Sequence, residues 1–306
     1  MTIFFSALTT IVLPILLVAA AGYLLRRTGL VTDSRPLARL SLYILSPALV
    51  LNSIARSKLS DSDVVSIIAI ALLVAGVMGG LSLLLARVLR YDRLLTAAFL
   101  LSIMFVNAGN IGLPFNQFAY GQEGLSRAAV FFVANSVLSH VLAIFIASRG
   151  RKEWKDSLTA VFKMPLIYAS IIGLVLNRTG WALPEALSRA VDLTSSAAVP
   201  VMLVMLGLEL ARVRLTESLR PVLLATGVKL IVTPVVALGL AALIGLAGLT
   251  RSVSVLEASM PTAVTVSLIA VEFDARPDFV TSVILLSTLG STITLVILLL
   301  ILGYSG

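Results

Sequence analysis

The sequence predicts an all-α integral membrane protein of ten transmembrane helices, arranged as a five-plus-five inverted repeat whose fourth and ninth helices are broken. Three observations carry this reading. The composition is apolar, the apolar runs are separated by short charged gaps, and prolines inside those runs recur at a near-constant offset. Of the 306 residues, 59% are hydrophobic and 12% charged, with a mean hydropathy of +1.07. A soluble core needs nothing so apolar. A spanning helix takes roughly 20 apolar residues, so a chain of this length with short connections has room for about ten.

In chain order the predicted spans are 5–25, 36–55, 64–86, 94–119, 126–147, 164–179, 187–211, 219–245, 251–271 and 279–302. The first has no basic segment before it and is followed by Arg26 and Arg27, which marks an uncleaved span rather than a signal peptide. The second holds Pro47, and the third stops at Arg87. The fourth has a polar middle, and the fifth ends before the longest non-apolar stretch, Arg149 to Lys163. The sixth is short, the seventh contains Pro200, and the eighth carries Lys229 inside it. The ninth contains EASMPTAVTVS, and the tenth closes the chain. One membrane domain, 1–306, therefore divides into a first repeat at 1–148, a cytoplasmic linker at 149–163 and an inverted second repeat at 164–306.

Charge placement sets the orientation. Arg26, Arg27, Arg35, Arg39, Arg87, Arg90, Arg93, Arg149, Arg151, Lys152, Lys155, Lys163, Arg212, Arg214, Arg220 and Arg276 follow odd-numbered spans. Arg56, Lys58, Arg127, Arg178, Arg189 and Arg251 lie on the other side. The positive-inside rule puts the richer side in the cytoplasm and both termini outside. The formal charge of +8 is spread over these gaps and forms no continuous basic face for nucleic acid. With no Cys, disulfides, thiolate metal sites and thiol catalysis are excluded.

Prolines inside spans are costly and serve as markers. Pro14 and Pro165, Pro47 and Pro200, and Pro114 and Pro261 are separated by 151, 153 and 147 positions. Five spans is an odd number, so a second copy enters the membrane inverted, as in many secondary transporters. The competing reading is coincidence among 11 prolines.

The fourth span places Asn107, Gly109, Asn110, Gly112 and Pro114 at its centre. Such residues free backbone groups where no water is present, which is tolerated only in protein or around a wet cavity. Asn107 and Asn110 share a face and can hydrogen-bond a carboxylate or a coupling ion. Alternatively they are interhelical glue in a kinked packing helix. In the ninth span, Ser259, Pro261, Thr262 and Thr265 form a weaker counterpart, since Ser and Thr commonly bond their own helix. Glu257 is expensive at its depth unless it faces a cavity, meets a cation, titrates or sits at the interface. Lys229 lies about ten residues into its span, roughly 15 Å deep. Insertion there costs about 2.5–3.5 kcal/mol. It pairs with Glu257, an anionic substrate or a broken-helix C-terminus, or else ties the two halves together structurally.

Enzyme motifs are missing: there is no HExxH and no paired Asp motif, and the single His, His140, reads as a packing residue. A passive channel or a sensor carries no motif that would distinguish it from a carrier.

SPALVLNSIA at 46–55, NAGNIGLPF at 107–115 with YGQEGL at 120–125, VPVMLVMLGLEL at 199–210 and SMPTA at 259–263 resemble the auxin efflux carrier family. That family includes plant carriers and bacterial malonate-type carriers. The resemblance covers essentially the whole chain. It implies a bile-acid-symporter/NhaA-like fold in which the fourth and ninth spans cross, with a scaffold of spans 1, 2, 6 and 7 and a core of spans 3–5 and 8–10. It further implies an elevator-type carrier of small organic anions, either dicarboxylates or auxin-like aromatic acids. Substrate would meet Asn107, Asn110, Gly112, Pro114, Pro261, Thr262 and Thr265 at the crossing, with Asn52 on the scaffold side and Lys229 at a supporting site. EASMP also resembles the bile acid sodium symporters, implying sodium binding by Glu257 with Asn110, Asn135 or Ser136. The expected coupling ion is thus sodium or a proton, with no other cofactor. The expected partners are the substrate anion, membrane lipid and a second copy in a homodimer. Unlike the plant members, the chain has no long cytoplasmic loop and no acid deep in the third span, where the nearest is Asp63 at its start.

Overall fold

The computed structural model describes residues 2–148, 162–213 and 218–304. The predicted linker lies mostly outside the described residues, as do its charges Arg149, Arg151, Lys152 and Lys155, and Arg214 beyond it. Eleven helical segments follow one another: α1 Ile3–Arg27, α2 Arg35–Ala55, α3 Asp61–Val88, α4 Arg93–Met104, α5 Ala108–Ala147, α6 Pro165–Thr179 and α7 Glu185–Leu210. After them come α8 Leu219–Leu243, α9 Gly248–Ala258, α10 Thr265–Glu272 and α11 Pro277–Ile301. Seven of these are long and apolar enough to cross a membrane. Their outward faces carry Leu17, Leu72, Leu84, Ile231, Val235 and Ile293, all exposed, as an apolar solvent requires.

Both predicted breaks are present. The predicted fourth span is interrupted after Met104 and resumes at Ala108. α5 is itself two helical pieces joined by a kink at Gly121, close to the predicted boundary between the fourth and fifth spans, where a φ of 61° and ψ of −149° fall in a region only glycine adopts without strain. The predicted ninth span is two short helices, α9 and α10, with a non-helical stretch between them.

Four wide π-turns, Leu8–Val12, Ser41–Leu45, Ala108–Gly112 and Val228–Val232, end two residues before Pro14, Pro47, Pro114 and Pro234. Proline has no N–H and its ring collides with the carbonyl four residues back, so the preceding turn widens instead of breaking. Within the proline pairs local geometry is unequal. Pro14 follows a π-turn whereas Pro165 opens a helix, and Pro200 sits inside α7 without one.

Packing sorts the helices into two groups. α1 lies along α7, and α2 packs on α6 and α7. The α1–α7 contact is backbone to backbone: a Cβ on Gly22 would strike the Val204 carbonyl, and one on Gly207 the Ala19 carbonyl. The second group gathers α3, α4, α5, α8, α9 and α11, with α3 touching α4, α5, α8 and α9. Its ends are fixed by polar ties. Thr250 Oγ1 donates to Asp63 Oδ1 (2.5 Å) and accepts from Arg127 Nε (3.0 Å). At the opposite end Asp92 caps α4 by accepting from Leu95 N (2.7 Å) and pairs with Arg276 (2.9 Å). The capped amide, with Arg276 beside it, holds the Asp92 carboxyl below its ordinary range.

Candidate functional site

The two interruptions meet. Asn107 N donates to Pro261 O (2.8 Å) and Ala263 N to Phe105 O (3.1 Å). Val106 and Thr262 thereby form an isolated antiparallel bridge. Two stretches of backbone that no helix satisfies thus satisfy each other, which is what a medium without water demands. Around the bridge, Thr262 Oγ1 donates to Ser102 O (2.7 Å) and Thr262 N to Ser287 Oγ (3.2 Å). Asn135 Nδ2 donates to Val106 O (3.1 Å).

Asn107 is the pivot on the α5 side. Its side-chain Oδ1 accepts from Asn110 N (3.2 Å) as an N-cap, and its main-chain O accepts from Gly112 N (3.1 Å). Its Nδ2 is buried and has no protein acceptor among the described residues. A buried donor left open costs about 1–3 kcal/mol, so this atom has hydrogen-bonding capacity to spare.

Lys229 is fully buried in the π-turn of α8. Its Nζ donates to Ile103 O at 2.8 Å, one of the last carbonyls of α4. Of the partners open to it from sequence, the broken-helix C-terminus receives this bond, and no ion pair with Glu257 forms among the described residues. A cation here neutralises the negative end of the α4 dipole at the crossing. The N-termini of α5 and α10, also at the crossing, keep their positive ends.

Glu257 is equally buried. Asn116 Nδ2 donates to Glu257 Oε1 (2.8 Å) and to Gly112 O (3.0 Å). The carboxyl lies so close to Gly112 that a Cβ there would overlap it. Glu257 Oε2 and Asn116 Oδ1 both remain without partners. Asn116 was missed by sequence reasoning; its only signal is a third Asn, two residues after Pro114, in an apolar helix. Ser102 and Ser287, which hold Thr262, gave no signal.

The remaining predicted residues are scattered. Asn110 offers a half-exposed side chain next to Asn107, while Thr265 stands exposed at the start of α10. Ser136 gives its carbonyl to His140 Nδ1 (2.9 Å). Among the described residues Asn116 is the hydrogen-bond partner of Glu257, and none of Asn110, Asn135 and Ser136 hydrogen-bonds it. Asn52 lines a separate cavity of about 230 Å³ with Arg56, Trp181 and Ser188. Ser259 bonds its own helix, donating to Val255 O (2.7 Å).

Two cavities separate the helix groups. One of about 30 Å³ brings Ile15 and Leu206 against Ile111, Phe115, Thr288 and Ser291. The other, about 270 Å³, opens between the C-terminal end of α7 at Glu209 and Arg212 and the Val264, Ser267, Asp278 and Ile284 face of α10 and α11.

Comparison with known proteins places these features. A family model described as membrane transport protein matches residues 7–299. An uncharacterized transporter of Methanothermobacter thermautotrophicus is 30% identical over 95% of this chain and 97% of its own. One from Methanocaldococcus jannaschii is 25% identical over 91% and 93%. A probable auxin efflux carrier component of Oryza sativa subsp. japonica is 23% identical over 56% of this chain and 28% of its own.

Proposed function

The chain belongs to the membrane transport protein family, that of the auxin efflux carriers, and from that membership we propose that it is a secondary active carrier of small organic anions. The single observation that carries the sign of the cargo is Lys229 Nζ on the Ile103 carbonyl. With the negative end of α4 offset by Lys229, the helix ends that remain at the crossing are the C-terminus of α9 and the positive N-termini of α5 and α10, a balance that favours an anion. Asn107 Nδ2, a buried donor without an acceptor, supplies the hydrogen bond that a carboxylate takes. The apolar wall of Ile111 and Phe115 suits the nonpolar part of a carboxylic acid such as a dicarboxylate or an auxin-like aromatic acid.

In this reading the ten spans form two inverted halves, and alternating access follows when the α3–α5 and α8–α11 group slides past the α1, α2, α6 and α7 scaffold. The wide cleft beside Glu209 and Asp278 supports an inward-facing state. Glu257 is the coupling residue: its unpartnered Oε2, beside the unpartnered Asn116 Oδ1, takes a proton or a sodium ion, because an ionised carboxylate buried with one open oxygen is costly.

The test is flux of radiolabelled dicarboxylates and aromatic carboxylates into proteoliposomes, with and without sodium or pH gradients. Saturable uptake by the wild type that falls at least about tenfold in Asn107→Ala, the scale of one lost buried hydrogen bond, supports the assignment. Uptake unchanged by that substitution removes the crossing as the binding site, and gradient-independent flux removes coupling through Glu257.

A further inference from the structure

Where α1 and α7 end, Arg26, Arg27 and Arg212 wall a concavity of about 380 Å³ whose other lining residues are Ala211 and Val213. Among the described residues no carboxylate lines it. The three guanidiniums are held in place from behind. Arg26 Nη1 donates to Thr32 O. Arg27 Nε donates to Tyr23 OH (3.0 Å), with its guanidinium 5.2 Å over that ring. Arg212 Nη1 reaches Ser34 Oγ (3.4 Å) and lies 3.7 Å from Glu209 Oε1. Glu209 is itself engaged, accepting from Ser34 Oγ at 2.5 Å. Each guanidinium has five N–H donors in a fork that matches phosphate, and these contacts occupy only one or two of them.

A second feature runs into the same place. Leu13, Leu17, Ala20, Leu24 and Arg27 are exposed and follow one another at steps of three and four, so they form a single stripe down the outside of α1. The stripe is apolar along its length and ends on a guanidinium. Tyr23, next to it, is an aromatic residue at the end of a spanning helix, which marks headgroup depth.

We propose that this concavity binds the phosphate of an anionic phospholipid, with an acyl chain laid along the Leu13–Leu17–Leu24 stripe. Phosphate chemistry alone would be met equally by a free phosphate ion. The continuity of the apolar stripe with Arg27 favours the lipid, because a soluble ion leaves the stripe unused while a phospholipid satisfies both parts. Arg212 and Val213 also line the cleft between the two helix groups, so a bound lipid sits at their seam. The proposal is independent of what the carrier moves.

The experiment is native mass spectrometry of the full chain released from mixed phosphatidylglycerol and phosphatidylcholine. Retained lipid is counted in wild type, Arg26→Gln/Arg27→Gln, Arg27→Gln alone and the control Arg189→Gln, which alters an exposed pair with Glu185. The expected result is about a tenfold preference for phosphatidylglycerol in wild type and control, lost in the double variant and reduced roughly threefold in the single one, the scale of one or two guanidinium contacts. Thermal melting gives a second reading, with phosphatidylglycerol raising the wild-type Tm more than that of Arg27→Gln. Equal retention of both lipids, or a preference that survives in both variants, overturns the proposal. Full displacement of the lipid by millimolar glycerol phosphate also overturns it and makes the concavity a free-anion site.

Discussion

Asn116 and Glu257 show how far single residues were legible. An acid inside an apolar run announces itself by cost alone, and so does Lys229. The partners do not announce themselves. Lys229 meets a backbone carbonyl, and carbonyls are the same at every position. Asn116 is ordinary until α9 brings Glu257 against it. The contact makes a prediction. Asn116→Leu strips Glu257 of the one side-chain hydrogen bond its carboxyl makes among the described residues and lowers stability by about 1–3 kcal/mol. Adding Glu257→Leu removes the stranded group, so the double variant regains part of that loss. Thermal melts of both singles and the double in detergent check it; additive losses would refute a direct coupling.

At the level of elements, the breaks were readable because Asn, Gly and Pro crowd into NAGNIGLP and SMPTA, and no apolar helix tolerates that without a purpose. What the pattern does not contain is the way each break is satisfied, since the Val106–Thr262 bridge joins segments more than 150 positions apart. The π-turns before Pro14, Pro47, Pro114 and Pro234 are likewise invisible to a 3.6-residue period. The seam expected between the fourth and fifth spans is present as a kink at Gly121 that joins two helices. Gly121 holds a conformation that a side chain opposes, so Gly121→Ala costs about 1–3 kcal/mol. Amide exchange of the flanking turns, measured by mass spectrometry, quickens if the kink is strained and stays unchanged if the helix straightens to accommodate the methyl group.

For the whole molecule, composition alone established a membrane protein, whereas the division into two helix groups was implied by family resemblance and not by any pattern in the residues. Packing that joins α1 to α7 and α2 to α6 depends on contacts such as Gly207 against Ala19, where a small residue has no apolar signature. If the two groups slide, linking them stops transport. Leu206 on α7 and Ser291 on α11 face one cavity from opposite groups, and the chain has no native Cys. Leu206→Cys/Ser291→Cys treated with a short bis-maleimide is expected to lose flux at least about tenfold, while each single variant so treated keeps it. Flux that survives cross-linking would place the moving boundary elsewhere.

The bridge between the breaks has one more consequence. Both of its own hydrogen bonds run from main chain to main chain, and the side chains that brace it are few, Thr262, Ser287 and Asn135, with Ser102 giving only its carbonyl. Lineages descended from a common carrier can therefore exchange the residues that touch cargo while inheriting the crossing intact. Selectivity in such a protein is free to drift faster than architecture.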